Sequence, residues 1–208
     1  MKTVKRRYRL GRRGEAAAAT RRRIVESTLA LHDEQGITRT SVRDVAGRAG
    51  VAPATVLHHF PRMDDLIRAC GELSDALAPF PQEAEVLAGV DAADRLRLLV
   101  GVLFRWWEKL GPGWDHLQVD RRHLPQVDAW LRSVLERHRQ LAETAIGPAS
   151  AEHVELVVAA TGQGMWRSLH ESGVRTDGAA ARVASLLIAG LGLPEAPKLR
   201  PPSSTRKH

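Results

Sequence analysis

Features that mark several protein classes are scarce or missing in this sequence. Its 208 residues include one cysteine, Cys70, which excludes an internal disulfide framework and favours a reducing compartment. No run of about 18 apolar residues is present, and the basic N-terminus is not followed by the apolar stretch of a signal peptide. We therefore expect a cytoplasmic protein that has no membrane partner.

Signatures of catalysis and of cofactor binding are also absent. The sequence has no G-x-S-x-G element, Walker loop, H-E-x-x-H element or glycine-rich dinucleotide fingerprint. Nine histidines are present, but His58 and His59 are adjacent, and His116 and His123 lack the spacing that zinc ligands need. We expect no metal site, no cofactor and no enzymatic activity.

Positive charge is concentrated at the two ends of the chain. Residues 1–23 contain ten Lys or Arg and one acidic residue, whereas residues 24–193 contain seventeen basic and twenty-two acidic residues. The basic N-terminal arm is typical of segments that contact nucleic acid, and the alternative is a solvated extension that only aids solubility. The salt dependence of DNA binding after removal of residues 1–14 distinguishes these alternatives.

The segment 40–60 predicts two short helices joined by a tight turn. Ser41 and Asp44 form an acidic variant of a capping box at the start of the first helix. Gly50 can end that helix because glycine tolerates a positive φ, and Pro53 suits the first turn of the second helix. This pattern indicates a helix-turn-helix, although an ordinary helical hairpin would share it.

Residues on both sides of this segment extend the pattern in a single register. The matching positions are Arg23 to Val25, Leu29, Leu31, Gly36 to Ala46, Ala49 to Val51, Thr55 to Pro61 and Asp64 to Ile67. From about Thr20 to Ile67 the chain thus resembles the DNA-binding domain of TetR-family transcriptional regulators. Three positions depart from the family pattern: Leu57 replaces a tyrosine, His32 an aromatic core residue and Met63 a lysine.

The resemblance implies how the helix-turn-helix would meet DNA. The second helix of this motif enters the major groove with its N-terminal residues on base edges, and small residues at 52–54 would let its backbone approach. Thr55 and His58 lie one turn apart and are the expected base readers, while Thr40 and Arg62 are expected at phosphates. With Arg43 and His59 as weaker candidates, the expected DNA contacts are Thr40, Arg43, Ala52, Pro53, Ala54, Thr55, His58, His59 and Arg62.

The rest of the chain lacks the short alternating runs of β-strands, and Leu and Ala dominate it. We predict an all-α fold of about nine helices, with an N-terminal three-helix DNA-binding domain and a C-terminal helical ligand-binding and dimerisation domain. The expected divisions are a disordered basic arm at 1–14, the TetR-type helix-turn-helix domain at 15–78, the helical domain at 79–193 and a disordered tail at 194–208.

All five tryptophans lie in the second part of the sequence. Ligand pockets are mainly apolar with a few directed polar groups, and several of these tryptophans adjoin polar or charged residues. The same rings could instead fill a helical core, as the position of Trp130 on a regular apolar stripe indicates. The candidate ligand-binding residues are Leu103, Trp106, Trp107, Trp114, Trp130, Gln163 and Trp166.

Two predicted helices, at 150–172 and 177–191, are so rich in small and aliphatic residues that they must be buried. Burial within one domain is one solution, but the resemblance implies a homodimer that binds a palindromic operator on double-stranded DNA. It also implies a repressor that a small, largely apolar effector releases. The alternative is a non-specific or architectural nucleic-acid-binding protein without an effector, whose binding would follow phosphate charge.

Overall fold

The computed structural model of the protein describes residues 3–111 and 113–194, with side chains from residue 14 onward. Its helices are α1 (Thr3–Gln35), α2 (Val42–Ala49), α3 (Pro53–His59), α4 (Met63–Leu77), α5 (Glu83–Leu87), α6 (Ala92–Leu110), α7 (Gly113–Asp120), α8 (Pro125–Ile146), α9 (Ala151–Thr161), α10 (Gln163–Glu171) and α11 (Thr176–Gly190). These ranges contain no β-strand, so the all-α prediction is confirmed. No described helix has both the length and the apolar character needed to cross a bilayer.

Helix α1 begins well before its predicted start at Glu15. Its backbone is helical from Thr3, where the sequence predicted a disordered arm. Arginine, lysine, leucine and alanine are strong helix formers, and the alanine run 16–19 connects the basic segment to the amphipathic part of the helix. The helix ends where predicted, because Gly36 adopts a φ of +89°. Residues 195–208, nearly all of the predicted tail, lie outside the described residues.

Two local features explain why the described helices outnumber the nine expected. Gln82 starts the short helix α5, and its backbone N–H donates to Oε1 of Glu85 at 2.8 Å. The predicted helix 150–172 is divided at Gly162, which has extended dihedral angles of φ −73° and ψ 164°. The prediction of one continuous helix over 150–172 is therefore corrected, because Gly162 is the cap between α9 and α10.

The chain divides into two compact units. Unit 1 comprises Met1–Phe80 and Lys109–Val134, and unit 2 comprises Pro81–Glu108 and Leu135–His208. In unit 1, α1 packs against α2, α4 and α7. The core under the helix-turn-helix is formed by the buried residues Ile24, Val25, Leu31, Val45, Ala46, Ala49, Val56, Phe60, Leu66, Ala69 and Cys70. Unit 1 thus joins the predicted DNA-binding segment to a later part of the chain.

A buried polar cluster lies in unit 2 where α9 ends. Trp107 Nε1 donates to the carbonyl oxygen of Thr161 at 2.9 Å. The Thr161 hydroxyl donates to the carbonyl of Val157 at 2.7 Å and lies 2.7 Å from Nε2 of His138. Because the hydroxyl has one proton, His138 must be the donor in the second contact. Burial lowers the pKa of His138 to about 4, so this ring is neutral at physiological pH.

We predict that His138 makes the protein less stable as the pH falls from about 6.5 to about 4. The pKa of His138 is about 4 in the folded chain, whereas the ordinary value of a histidine, which applies to the unfolded chain, is 6.5. Between these two pH values the unfolded state therefore binds a proton that the folded state excludes. The complete loss is on the order of 3 kcal/mol of unfolding free energy. Urea titrations at several pH values should show a flatter pH dependence for His138→Gln than for the wild type.

The control is His123→Gln, since His123 is exposed. This variant should keep the wild-type pH dependence. Equal pH dependence of His138→Gln and wild type would contradict the prediction.

Candidate nucleic-acid interface and cavity

The helix-turn-helix forms through the local interactions that the sequence predicts. Ser41 Oγ accepts a hydrogen bond from Asp44 N at 3.2 Å, and Ser41 N donates to Asp44 Oδ2 at 2.9 Å, which completes the capping box. Gly50 follows α2 with a φ of +63°, and Pro53 is the first residue of α3. Residues 50–52 therefore form a three-residue turn between the helices.

Most of the residues predicted to contact DNA are accessible to solvent. The side chains that are exposed or half-buried, here called the recognition surface, are Arg43, Ala52, Pro53, Ala54, Thr55, His58, His59 and Arg62. Thr40 differs, because it is buried and its hydroxyl donates to the carbonyl of Gly36 at 2.7 Å. Thr40 does not join the recognition surface through its side chain.

Residues of α1 contact the ends of the two helices that carry the recognition surface. Arg23 Nε donates to the carbonyl oxygen of Ala49 at 2.9 Å and so satisfies a carbonyl at the end of α2. The guanidinium of Arg21 lies 4.5 Å from the ring centroid of Phe60, the residue that follows α3. Helix α1 therefore fixes the ends of both helices of the motif.

A buried carboxylate fixes the connection between α1 and α2. Asp120, the last residue of α7, is 2% exposed and accepts hydrogen bonds from Ile37 N at 2.6 Å, Thr38 N at 3.3 Å and Thr38 Oγ1 at 2.6 Å. Gly36 comes so close to this carboxylate that a Cβ atom there would lie 3.1 Å from Oδ2. The position of α7 thus determines the path of the chain into the helix-turn-helix.

Unit 1 also contains a cavity of about 620 Å³, bounded by α1, α4, the end of α6, α7 and the start of α8. This volume is in the usual range of small-molecule sites. Its apolar lining includes Leu29, Ile67, Leu77, Leu110, Leu117 and Val127. Two aromatic rings complete the wall: the centroids of Trp114 and Trp130 are 6.2 Å apart. We call this space the unit 1 cavity.

Two polar atoms in the wall of the cavity are buried and have no hydrogen-bond partner among the described residues. They are Nε2 of His32 and Nε1 of Trp130. His32 is 7% exposed, and burial lowers its pKa to about 4 against the attraction of Asp120, so its ring is neutral. Burial also raises the pKa of Cys70, another lining residue, to about 12, so its thiol stays protonated.

The structure divides the candidate ligand-binding residues between two places. Trp114 and Trp130 line the unit 1 cavity, and the others belong to unit 2 and are not part of its wall. Leu103 and Trp107 are buried in unit 2, where the Trp106 and Trp107 rings are 4.5 Å apart. Gln163 is buried at the start of α10, and Trp166 stacks on His170 with ring centroids 5.0 Å apart.

Sequence reasoning missed the contribution of α1 and α4 to this cavity. His32, Ile67 and Asp75 come from the segment that the sequence assigned to DNA binding alone. One signal was present, because His32 departs from the aromatic residue usual in the resembled family. A polar residue at a core position often marks a neighbouring polar group or a ligand.

We predict that Asp120→Ala lowers the free energy of unfolding by about 1–3 kcal/mol, because it leaves the backbone N–H groups of Ile37 and Thr38 without their acceptor. Asp177→Ala is the matched control, since this carboxylate is exposed on α11 and should change stability by about 0.5 kcal/mol or less. Urea unfolding measures both. Similar small effects of the two substitutions would show that Asp120 does not hold the connection.

The chain is similar in sequence to known regulatory proteins. Residues 24–70 match the model of bacterial regulatory proteins of the tetR family. The chain is similar to the HTH-type transcriptional regulator AcrR of Shigella flexneri, with 29% identity over 115 residues that cover 47% of this chain and 54% of that protein. It is also similar to the HTH-type transcriptional repressor KstR of Mycolicibacterium smegmatis, with 35% identity over 92 residues, 44% of this chain and 45% of that protein. The chain therefore matches about half the length of these curated relatives.

A solved structure has the same fold over most of the chain. The crystal structure of a transcriptional regulator from Rhodococcus sp. Rha1 superposes with a TM-score of 0.61 and 23% identity, covering 82% of this chain and 96% of that one. The two curated relatives are named as regulators, in agreement with the prediction that this chain is not an enzyme. Residues 24–70 therefore have both the helix-turn-helix geometry and the sequence pattern of bacterial regulatory proteins of the tetR family.

Proposed function

We propose that this chain is a sequence-specific DNA-binding regulator that acts in the cytoplasm as a homodimer. The observation that carries the proposal is the exposed N-terminal turn of α3. Ala52, Pro53 and Ala54 are exposed there and add little bulk, so the backbone can approach a major groove closely. The ten Lys or Arg among residues 1–23 add positive charge that would attract phosphates.

Within the recognition surface, we assign base reading to Thr55 and His58, which lie one turn apart on α3. Arg43 and His59 are secondary candidates for base contacts. Arg62, exposed just before α4, is the candidate phosphate contact. The inward-facing hydroxyl of Thr40 leaves it as a weaker candidate for this role.

We predict that His58→Ala weakens binding to the preferred site by about 1–3 kcal/mol and relaxes the preference at one base position. Arg62→Ala should weaken binding to all sequences alike, since a phosphate contact carries no base information. In vitro selection of the preferred site, followed by fluorescence anisotropy on single-base variants, measures both effects.

His123→Ala is the matched control for His58→Ala, because His123 is also exposed but precedes α8, away from the helix-turn-helix in sequence. Unchanged affinity and unchanged site preference for His58→Ala would reject the assignment. Selection that yields no preferred sequence would favour the alternative function, a non-specific or architectural nucleic-acid-binding protein.

Dimerisation is proposed through the helices of the C-terminal segment. Helices α9, α10 and α11 pack on one another and leave large apolar side chains exposed, namely Leu156, Met165 and Leu186. Burial of such side chains is favourable, and a second copy offers a self-complementary surface. A two-fold dimer would also present two recognition surfaces to a palindromic operator, with half-sites about 34–36 Å apart or a multiple of this distance.

We predict that Leu186→Glu shifts the protein from dimer to monomer, because it puts a charge where Leu186, 73% exposed in the single chain, would be buried by the partner copy. Val90→Glu is the control, since Val90 is 91% exposed just before α6 and lies outside the proposed interface. Sedimentation velocity at micromolar protein reports the change. A monomeric wild type, or a Leu186→Glu variant that stays dimeric, would contradict this interface.

We further propose that the regulator is a repressor and that a small, largely apolar molecule releases it from the operator. The unit 1 cavity supports this part, since α1 and α4 both line it and both contribute residues to the core under the helix-turn-helix. A ligand can shift the protein only if it binds the two conformations with unequal affinity. The earlier candidates in unit 2, namely Leu103, Trp106, Trp107, Gln163 and Trp166, remain predictions.

A further inference from the structure

We propose that the unit 1 cavity takes a lipophilic cation, with a bulky apolar or aromatic body and a single positive charge, as the effector of this regulator. The inference rests on the proposed function, since it names the ligand class that would release the DNA. The charges in the cavity wall, its two tryptophans and the buried, unpartnered His32 support this ligand class.

Carboxylates dominate the charged part of the wall. Asp33 on α1 and Glu72 and Asp75 on α4 line the cavity and form no ion pair with any described residue. Glu72 and Asp75 are three residues apart on one helix, where like charges destabilise each other. A cation bound between these side chains would relieve that repulsion.

The remaining charges of the wall offset this excess only in part. Asp64 is already paired with Arg62 at 3.3 Å, and Arg68 is already paired with Asp65. Lys109 is left as the one lining cation that forms no ion pair with a described residue. Three carboxylates therefore oppose one ammonium group, and an anion would be repelled from this cavity.

Two further observations support a ligand of this class. Trp114 and Trp130 present aromatic rings with centroids 6.2 Å apart, and aromatic faces attract cations, most strongly when water is excluded. His32 is more than nine-tenths buried, and its Nε2 atom has no hydrogen-bond partner among the described residues. An unpartnered polar atom in a buried wall costs free energy, which a bound molecule can recover. The neutral ring adds no positive charge that would repel a cation.

The location of the cavity links its occupancy to DNA binding. Helix α1 contributes Leu29, His32 and Asp33 to the wall, and the same helix donates a hydrogen bond from Arg23 to the end of α2. A bound molecule that pushed α1 and α4 apart would therefore move α1, which contacts the helices of the recognition surface. Coupling of this kind typically changes affinity by about 5- to 150-fold.

The test compares two ions of nearly equal size and shape but opposite charge, tetraphenylphosphonium and tetraphenylborate. Isothermal titration with the full-length, DNA-free protein should give at least about tenfold tighter binding of the phosphonium ion. Equal binding of the two ions, or tighter binding of the borate ion, would overturn the proposal.

Charge variants test whether binding occurs in this cavity. The double variant Glu72→Gln/Asp75→Asn should weaken phosphonium binding at least about threefold, and Lys109→Gln should strengthen it, because they change the Coulomb energy in opposite directions. Glu152→Gln, an exposed carboxylate of α9, is the matched control and should leave the affinity unchanged. These side chains are exposed, so folding should be retained, and circular dichroism checks it. Phosphonium affinity that is the same in all variants would reject the site.

A last measurement separates this inference from the proposed function. The ligand-free protein is first tested for a preferred DNA site, and the selected site is then titrated at saturating phosphonium. A loss of operator affinity of at least about fivefold supports the effector role. Specific DNA binding that phosphonium does not alter overturns that role and leaves the regulator proposal intact. If no DNA site is preferred, the proposed function fails, while a measured preference for the cation still supports the ligand class.

Discussion

The carboxylate of Asp120 is the constraint on which the geometry of the helix-turn-helix most directly depends. A buried charge must be hydrogen-bonded, and the donors to this one are Ile37 N, Thr38 N and the Thr38 hydroxyl. Those donors lie in the connection that leads into α2, so the connection cannot move away without leaving the carboxylate unsatisfied. Helix α7, which ends at Asp120, also carries Trp114 in the wall of the unit 1 cavity. Eight residues of helix thus link the cavity to the entry of the helix-turn-helix.

The local chemistry of the helix-turn-helix could be predicted from the sequence because each signal acts within a few residues. The Ser41–Asp44 capping box, the positive φ of Gly50 and the position of Pro53 all depend on neighbouring backbone groups. The all-α class followed in the same way from periodicity. The extended start of α1 and the division at Gly162 were missed, since several helix formers and a tolerated glycine fit either outcome.

The cavity could not be predicted, because its walls come from distant parts of the sequence. Residues of α1 and α4 meet residues of α7 and α8 only after unit 1 has folded. Tryptophan content pointed to a pocket but did not say which rings would line it. The indole N–H of Trp107 donates a hydrogen bond to the carbonyl of Thr161, whereas Trp130 Nε1 has no such partner among the described residues. The difference depends on which backbone carbonyl lies within reach, and tertiary packing decides that.

Unit 1 is built from two separate segments of the chain, and this affects how such a protein could diversify. Modular exchange of DNA-binding and effector specificity is simplest when the crossover falls between self-contained domains. Here a crossover near residue 80 would bring a foreign α1 and α4 to the native α7 and the start of α8. The hybrid would lose Asp33, Glu72 and Asp75 from the cavity wall and would separate Asp120 from Ile37 and Thr38. Recombination that kept the proposed DNA-binding and effector specificities would have to carry residues 109–134 together with the first eighty residues.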